Sequence, residues 1–477
     1  MEIQAIVLFL FCLTAMLRPA WGIALLLVAE CSLFHPEKFA TVALPVGYAG
    51  PSDVGIVCVV LGAFLARGRP DRGLPLPPAC QAREDFARKT LAWSILPFVA
   101  WMGVQSWRGV SEMIGQPQWS VSIRNAVSAL LPWSLVAAVW WLRRRRREIL
   151  LMAVVVAAAT SALHVAIQFL DLRDLMVWAY WTGPEQLNEY QEYVLSYFDF
   201  VRGLPQGTIL ILLTAILCFY WCLTVRAGRR ALVGLVAMVG VMVTAIGITL
   251  TRSLAAELAA GMLLASVLAW KVSGRIVSVR ATYILFSLVL LAGLALAVRP
   301  DILPSLAERV ETLDVDRRIF SDQTIRGQDN LASLEAIQDR PWCGWGLYTY
   351  PEDYSFREDA ATDIHPLLRV GLAGGWIGVF LAIRLQGLLV WRFGRACRRQ
   401  ATAAMPRVAP YLAILATSLL VINVIGAGGT LMGQALIAMS IFIGLLAAEY
   451  ARPDPSDAPA KANPSTRQGA SSGATPP

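Results

Sequence analysis

Charge is what this 477-residue sequence lacks most: Asp, Glu, Lys and Arg make up 16% of it, against 57% hydrophobic residues. Soluble domains carry about 25% charged residues, so a water-soluble globular fold is excluded. Histidine is scarcer still, with only His35, His164 and His365. The eight cysteines follow no metal-ligand spacing. Cys218 and Cys222, four apart in an apolar stretch, read as small buried hydrophobes. Cys343 is the one cysteine in the two large acidic connectors, so no disulfide within them is implied. The N-terminus lacks a basic leader and a cleavage site, and its first apolar run is expected to be a retained helix.

What the chain has instead is apolar length. Runs long enough to span a bilayer recur at 149–170, 206–225, 231–250, 281–298 and 430–449. In hydrocarbon only a helix satisfies its own backbone polar groups, so the expected class is an all-α polytopic membrane protein. The remaining spans read as 3–17 and 19–34 (a short-helix pair split by Arg18-Pro19), 52–66, 90–107, 120–142, 254–270, 366–391 and 409–426. That predicts 13 crossings, or 11 to 13 if the first pair or 39–50 inserts differently. Residues 1–450 form the transmembrane domain. The Pro-, Ser-, Ala- and Gly-rich tail 451–477 is expected to be disordered and cytoplasmic.

The formal net charge of +8 is distributed by side, which argues against nucleic acid as a partner. Connectors 67–89, 143–148, 226–230, 271–280 and 392–407 carry +3, +4, +3, +3 and +5. The alternate connectors 108–119, 171–205 and 299–363 carry 0, −4 and −7. This alternation is the positive-inside pattern; it holds the basic loops in the cytoplasm and turns the two large loops outward. The run Arg143–Arg147 reads as its strongest anchor.

The first outward loop, 171–205, is aromatic and acidic, with Trp178, Tyr180, Trp181, Tyr190, Tyr193, Tyr197 and Phe198. These read either as interfacial aromatics or as a sugar platform, with the interfacial role favoured. The second, 299–364, holds a capping box, Ser305-Leu-Ala-Glu308, followed by Leu306, Val310 and Leu313 at helical spacing. A second helix is predicted at 329–339, with Leu331, Leu334 and Ile337 on one side. It ends at Arg340-Pro341, and Gly344-Trp345-Gly346 turns the chain.

Arginine on the outward side runs against the charge bias. Arg252, in a short turn between apolar helices, reads either as a snorkelling residue paired with Glu257 or as an anion clamp. For any one of the large loop's arginines, Arg299, Arg309, Arg317, Arg318, Arg326, Arg340 and Arg357, a solvated pair with one of the loop's fourteen carboxylates is the reading charge alone favours. His365 stands where that loop enters a helix begun by Pro366, with Arg369 one turn on. It reads either as a structural residue or as a general base, kept neutral by the neighbouring cation.

In chain order these parts are Thr251-Arg252-Ser253, then Ile325-Arg326-Gly327, then Asp339-Arg-Pro-Trp-Cys-Gly-Trp-Gly-Leu347. His365 follows, entering the Gly-rich stretch Leu372-Ala-Gly-Gly-Trp-Ile-Gly378. Over roughly 240–380 this order resembles the O-antigen ligase and polymerase family of bacterial envelope glycosyltransferases. The resemblance implies a GT-C-like fold of about 12 transmembrane helices in the bacterial inner membrane, with a periplasmic active face. It further implies metal-independent, inverting transfer without a cofactor. A glycan would move from an undecaprenyl-diphosphate carrier to a hydroxyl of lipid A-core or of a growing polysaccharide. Arg252 and Arg326 would hold the diphosphate, and His365 would activate or position the acceptor. Arg317, Arg318, Arg369, Trp345 and Tyr348 are expected to line the substrate site. The chain departs from the family pattern at Thr251, Ser253, Pro366 and Arg369. A polymerase or a protein O-oligosaccharyltransferase shares the donor, and a lipid-linked glycan flippase is the reading from another class.

Overall fold

A computed structural model describes residues 2–31, 42–44, 47–49, 51–67, 78–112, 119–170, 207–225, 228–249, 252–273, 284, 325–347, 365–399, 404–422 and 435–453. Fourteen α-helices lie among them: α1 (Glu2–Leu17), α2 (Pro19–Glu30), α3 (Pro51–Arg67), α4 (Pro78–Glu112), α5 (Trp119–Leu130), α6 (Ser134–Trp141) and α7 (Arg146–Phe169). They continue with α8 (Thr208–Thr224), α9 (Arg229–Gly247), α10 (Arg252–Ser273), α11 (Ile325–Asp339), α12 (Pro366–Arg399), α13 (Met405–Thr417) and α14 (Ala435–Tyr450). The one sheet among the described residues is a hairpin of β1 (Val42–Leu44) and β2 (Gly47–Ala49), antiparallel with Ala43 opposite Tyr48. The loop 171–205, the helix expected at 305–313, nearly all of the span 281–298 and the tail beyond 453 lie outside the described residues.

Among the described residues, four helical stretches are long and apolar enough to cross a membrane: Arg143–Ile167, Arg230–Gly247, Leu254–Ser273 and Pro366–Arg398. Six shorter apolar helices accompany them. Leu17, Leu61, Leu151, Leu263 and Phe380 are exposed on helix surfaces. In water such a display is a liability; against lipid it is the lowest-energy surface, and the chain is a membrane protein on these grounds. The expected span 120–142 is two helices, because Pro132 lies in a 3₁₀ turn, Leu131–Trp133, between α5 and α6. Arg18-Pro19 breaks α1 from α2, with Pro19 at the first helical position of α2.

A helix apolar on every side belongs inside, and α8 obeys: Ile209 to Tyr220 are all buried. Around it pack α7, α9, α10, α13 and α14. Close approach uses small residues, as is usual between membrane helices. A Cβ on Gly261 of α10 would run into Ile216 of α8, and one on Gly444 of α14 would lie 2.6 Å from Val139 of α6. The basic end is tied by ion pairs from three helices. Arg143 makes a two-pronged contact with Glu84 of α4 at 3.0 and 2.9 Å, and Arg146 meets Glu449 of α14 at 3.0 Å.

The helices α4 and α12 pack along each other, and one contact between them explains an out-of-place charge. Pro97 sits inside α4 and has no N–H, so the carbonyl of Trp93, four residues earlier, loses its helical donor. Arg384 of α12 supplies the missing proton, its Nη1 donating to Trp93 O at 3.0 Å. An arginine within an apolar span thus serves a backbone defect.

Candidate functional site

The site begins with a break in α12. Gly375 has φ 66 and ψ −169, so α12 is two helical pieces joined at a kink. A break frees carbonyls that would have accepted bonds one turn on, and each must find another donor. Leu372 O accepts from Trp345 N at 2.6 Å and Ala373 O from Gly346 N at 3.0 Å. Gly374 O accepts from the indole Nε1 of Trp101 on α4 at 2.8 Å. On the other side, Trp376 N donates to Pro341 O at 2.7 Å. The turn 340–347 is therefore hydrogen-bonded directly into the kink.

Glycine is required on both partners. Gly344 (φ 62) and Gly375 both occupy the left-handed region. A Cβ on Gly344 would collide with Leu372 O, and one on Gly375 would lie 2.5 Å from Trp342 O and 2.6 Å from Cys343 N. The two segments that carried the family resemblance, Arg340–Leu347 and Leu372–Gly378, are thus the two halves of one interlock.

Two further groups hold the turn. Ala336 and Ile337 of α11 pack with Leu368 and Leu372 of α12, with Leu334 and Trp345 against them. At the end of α4, Arg108 donates to the carbonyls of Gly344 and, at 3.5 Å, Cys343. Glu112, one turn on, accepts from Arg340 at 2.7 Å. The Arg340 guanidinium in turn lies 3.9 Å over the Trp345 ring.

His365 is the residue before α12, and it caps the helix. Its Nδ1 accepts from Leu367 N at 3.2 Å, taking a role usually filled by Ser, Asp or Asn. With Nδ1 occupied as acceptor, the neutral ring carries its proton on Nε2, which makes that nitrogen a donor. The backbone N–H of His365 donates to Asn330 Oδ1 of α11 at 2.9 Å. Arg369 closes the first helical turn through its N–H to His365 O at 2.9 Å, and its side chain is half-buried.

Helix α11 starts earlier than expected, at Ile325, and its buried side differs from the predicted one. Leu331 and Leu334 are half-buried, while Asp329, Asn330, Ser333, Ala336 and Ile337 are buried. Small and hydrogen-bonding residues face inward, and one of them, Asn330, accepts from the backbone N–H of His365 just before α12 begins. The spacing Asn330, Ser333, Ala336, Ile337 is a signal in the sequence that could have found this side.

Among the residues proposed from sequence, His365 and Arg369 share the first turn of α12, while Trp345 is bonded about two turns further along, at Leu372. Arg326 is the second residue of α11, so its Cα lies one turn, about 6 Å along the axis, from Asn330. Arg252 opens α10, which packs on α13, the neighbour of α12. Arg317, Arg318 and Tyr348 lie outside the described residues, as do the side chains of Arg252 and Arg326. Trp345 spends its indole N–H on Ala336 O at 2.8 Å and one ring face on Arg340. Trp342, in the same turn, leaves 67% of its surface exposed. Sequence reasoning passed over Arg108, Asn330 and Trp342 as site residues. No group of three His, Cys, Asp or Glu suited to a metal occurs among the described residues. Neither the protein-family models nor the curated proteins match the chain.

Proposed function

We propose that the chain is an O-antigen ligase-like glycosyltransferase. It moves a glycan from an undecaprenyl-diphosphate carrier to a hydroxyl acceptor, lipid A-core or growing polysaccharide, at the periplasmic face of a bacterial inner membrane. The observation that carries this reading is the seating of the turn 340–347 in the kink of α12, whose first helical piece begins just after His365, about 15 Å along the axis from Gly375. The segments singled out for their order along the chain are structural partners, which an accidental likeness would not require.

The reaction needs a leaving diphosphate to be stabilised where it departs. Cations fixed in advance do this without reorganising during the step. Arg326 on α11 and Arg252 at the start of α10 are the cations assigned here, with Arg369 and the positive end of the α12 dipole adding to the field. His365, a donor at Nε2, positions the acceptor hydroxyl or a phosphate oxygen. Acting as a base through Nε2 would require it to surrender the bond to Leu367 N. Trp342, rather than Trp345, has a ring face open for sugar stacking. A flippase would need charges of its own within the spans. Arg384 is committed to Trp93 O, and Glu257, buried in α10 with neither carboxylate oxygen hydrogen-bonded among the described residues, is the charge that second reading would use.

The test is incubation of the purified protein with an undecaprenyl-diphosphate glycan and candidate acceptors, with EDTA present. Glycan transfer with release of undecaprenyl diphosphate is expected. No transfer by wild type, or full activity in both Arg252→Ala and His365→Ala, would refute the reading.

A further inference from the structure

A groove of ≈ 730 Å³ runs between α4 and the α5–α6 pair, on a different side of α4 from the one that meets α12. Its α4 wall extends from Arg88 to Val110, about 33 Å at 1.5 Å per residue. That is the depth of a bilayer's hydrocarbon core, about 30 Å. The groove opens sideways, since Leu96, Trp107 and Val127 line it and are each more than half exposed.

Its charge is all at one end. The lining includes Arg67, the last residue of α3, and Arg88, but no Asp or Glu. Arg67 lies 5.8 Å over the ring of Trp141 and has no carboxylate partner among the described residues. Arg88 meets Asp85 at 2.9 Å in a pair exposed on both sides, so it gives up that partner at little cost. Glu84, one turn before Arg88, is bound by Arg143, which places this end at the basic run Arg143–Arg147.

An apolar trough capped by two available guanidiniums matches a ligand with a hydrocarbon chain and an anionic head. Because the groove is open along its length, its shape and charge rather than its ≈ 730 Å³ define the ligand: an apolar wall about the depth of one hydrocarbon core, with the cations at one end. We propose that the groove binds one anionic phospholipid of the cytoplasmic leaflet, its phosphate between Arg67 and Arg88 and an acyl chain along α4. The leaflet follows from the positive-inside orientation. The site stands whether or not the chain transfers a glycan.

The experiment is native mass spectrometry of the full chain in detergent, titrated with phosphatidylglycerol or phosphatidylcholine of identical chains. Phosphatidylglycerol should bind roughly tenfold or more tightly, and the Arg67→Gln/Arg88→Gln double variant should bring it to the phosphatidylcholine level. Gly103 lines the groove with no atom within 4 Å of a Cβ built on it, so Gly103→Phe should plug the trough and abolish retention. Ala137→Phe, from the opposite wall, is the second plug, and unchanged elution and melting establish that either variant is folded. An Arg392→Gln/Arg395→Gln control should bind as wild type does. Equal binding of the two lipids, an equal loss in the control, or full retention in both folded plugs overturns the proposal. Displacement of phosphatidylglycerol by equimolar undecaprenyl phosphate overturns it too, assigning the groove to a polyprenyl chain.

Discussion

Replacing Arg384 by Met should destabilise the protein, and only because Pro97 is where it is. The guanidinium fills the acceptor that Pro97 leaves open on Trp93 O, 3.0 Å away. An unsatisfied buried acceptor costs about 1–3 kcal/mol in general. Measured hydrogen bonds between membrane helices average about 0.6 kcal/mol and reach about 1.7. The Trp93 carbonyl has no water nearby to replace the donor if it faces hydrocarbon, so a cost of about 1 kcal/mol, toward the upper part of that range, is expected. Pro97→Ala restores an N–H one turn on and gives Trp93 O an in-helix donor. In that background Arg384→Met should cost close to nothing. The assay is unfolding of the four proteins in mixed micelles by SDS titration, read as a double-mutant cycle. A coupling on the order of 1 kcal/mol is expected; additivity within about 0.3–0.5 kcal/mol would refute the reasoning. Loss of activity in the double variant at undiminished stability would give Arg384 a direct functional part.

Gly375→Ala combines a left-handed backbone with a Cβ pressed on Trp342 and Cys343, and it should cost more than about 2 kcal/mol, measured by thermal unfolding. Gly387→Ala, where a Cβ meets nothing within 4 Å, should be tolerated in the same assay. His365→Asn should retain the helix cap and lose transfer, while His365→Ala should lose transfer and about 1 kcal/mol of stability; equal activity of the Asn variant and wild type would leave the residue a cap alone. Trp342→Ala should lower glycan transfer several-fold at unchanged melting temperature, whereas Trp345→Ala should lower both. Arg108→Ala removes the donor to Gly344 O and Cys343 O and should loosen the turn 340–347, seen as faster amide exchange at Trp345 and Gly346; unchanged exchange would remove Arg108 from the interlock.

The helices and their apolar character were legible because hydrocarbon leaves no alternative to a helix, so span length and loop charge were enough. The breaks at Arg18-Pro19 and after Asp339 were legible for the same local reason, a proline that cannot donate. Pro132 and Pro97 were equally visible, yet their consequences differ: one sits between two helices and the other is repaired by a residue 287 positions away. No local pattern distinguishes them, because the repair depends on which helix lies alongside.

The sequence by itself determined the class, the alternation of charge between connectors and the identity of the segments worth watching, since each follows from composition or from chemistry within a turn of chain. Tertiary structure alone decided that Arg340–Leu347 enters the kink at Gly375, that Arg384 reaches Trp93 O, and that Asn330 accepts from the backbone N–H of His365. Each of these is a question of which buried backbone group lacks a partner, and the partner that answers it comes from a distant part of the chain.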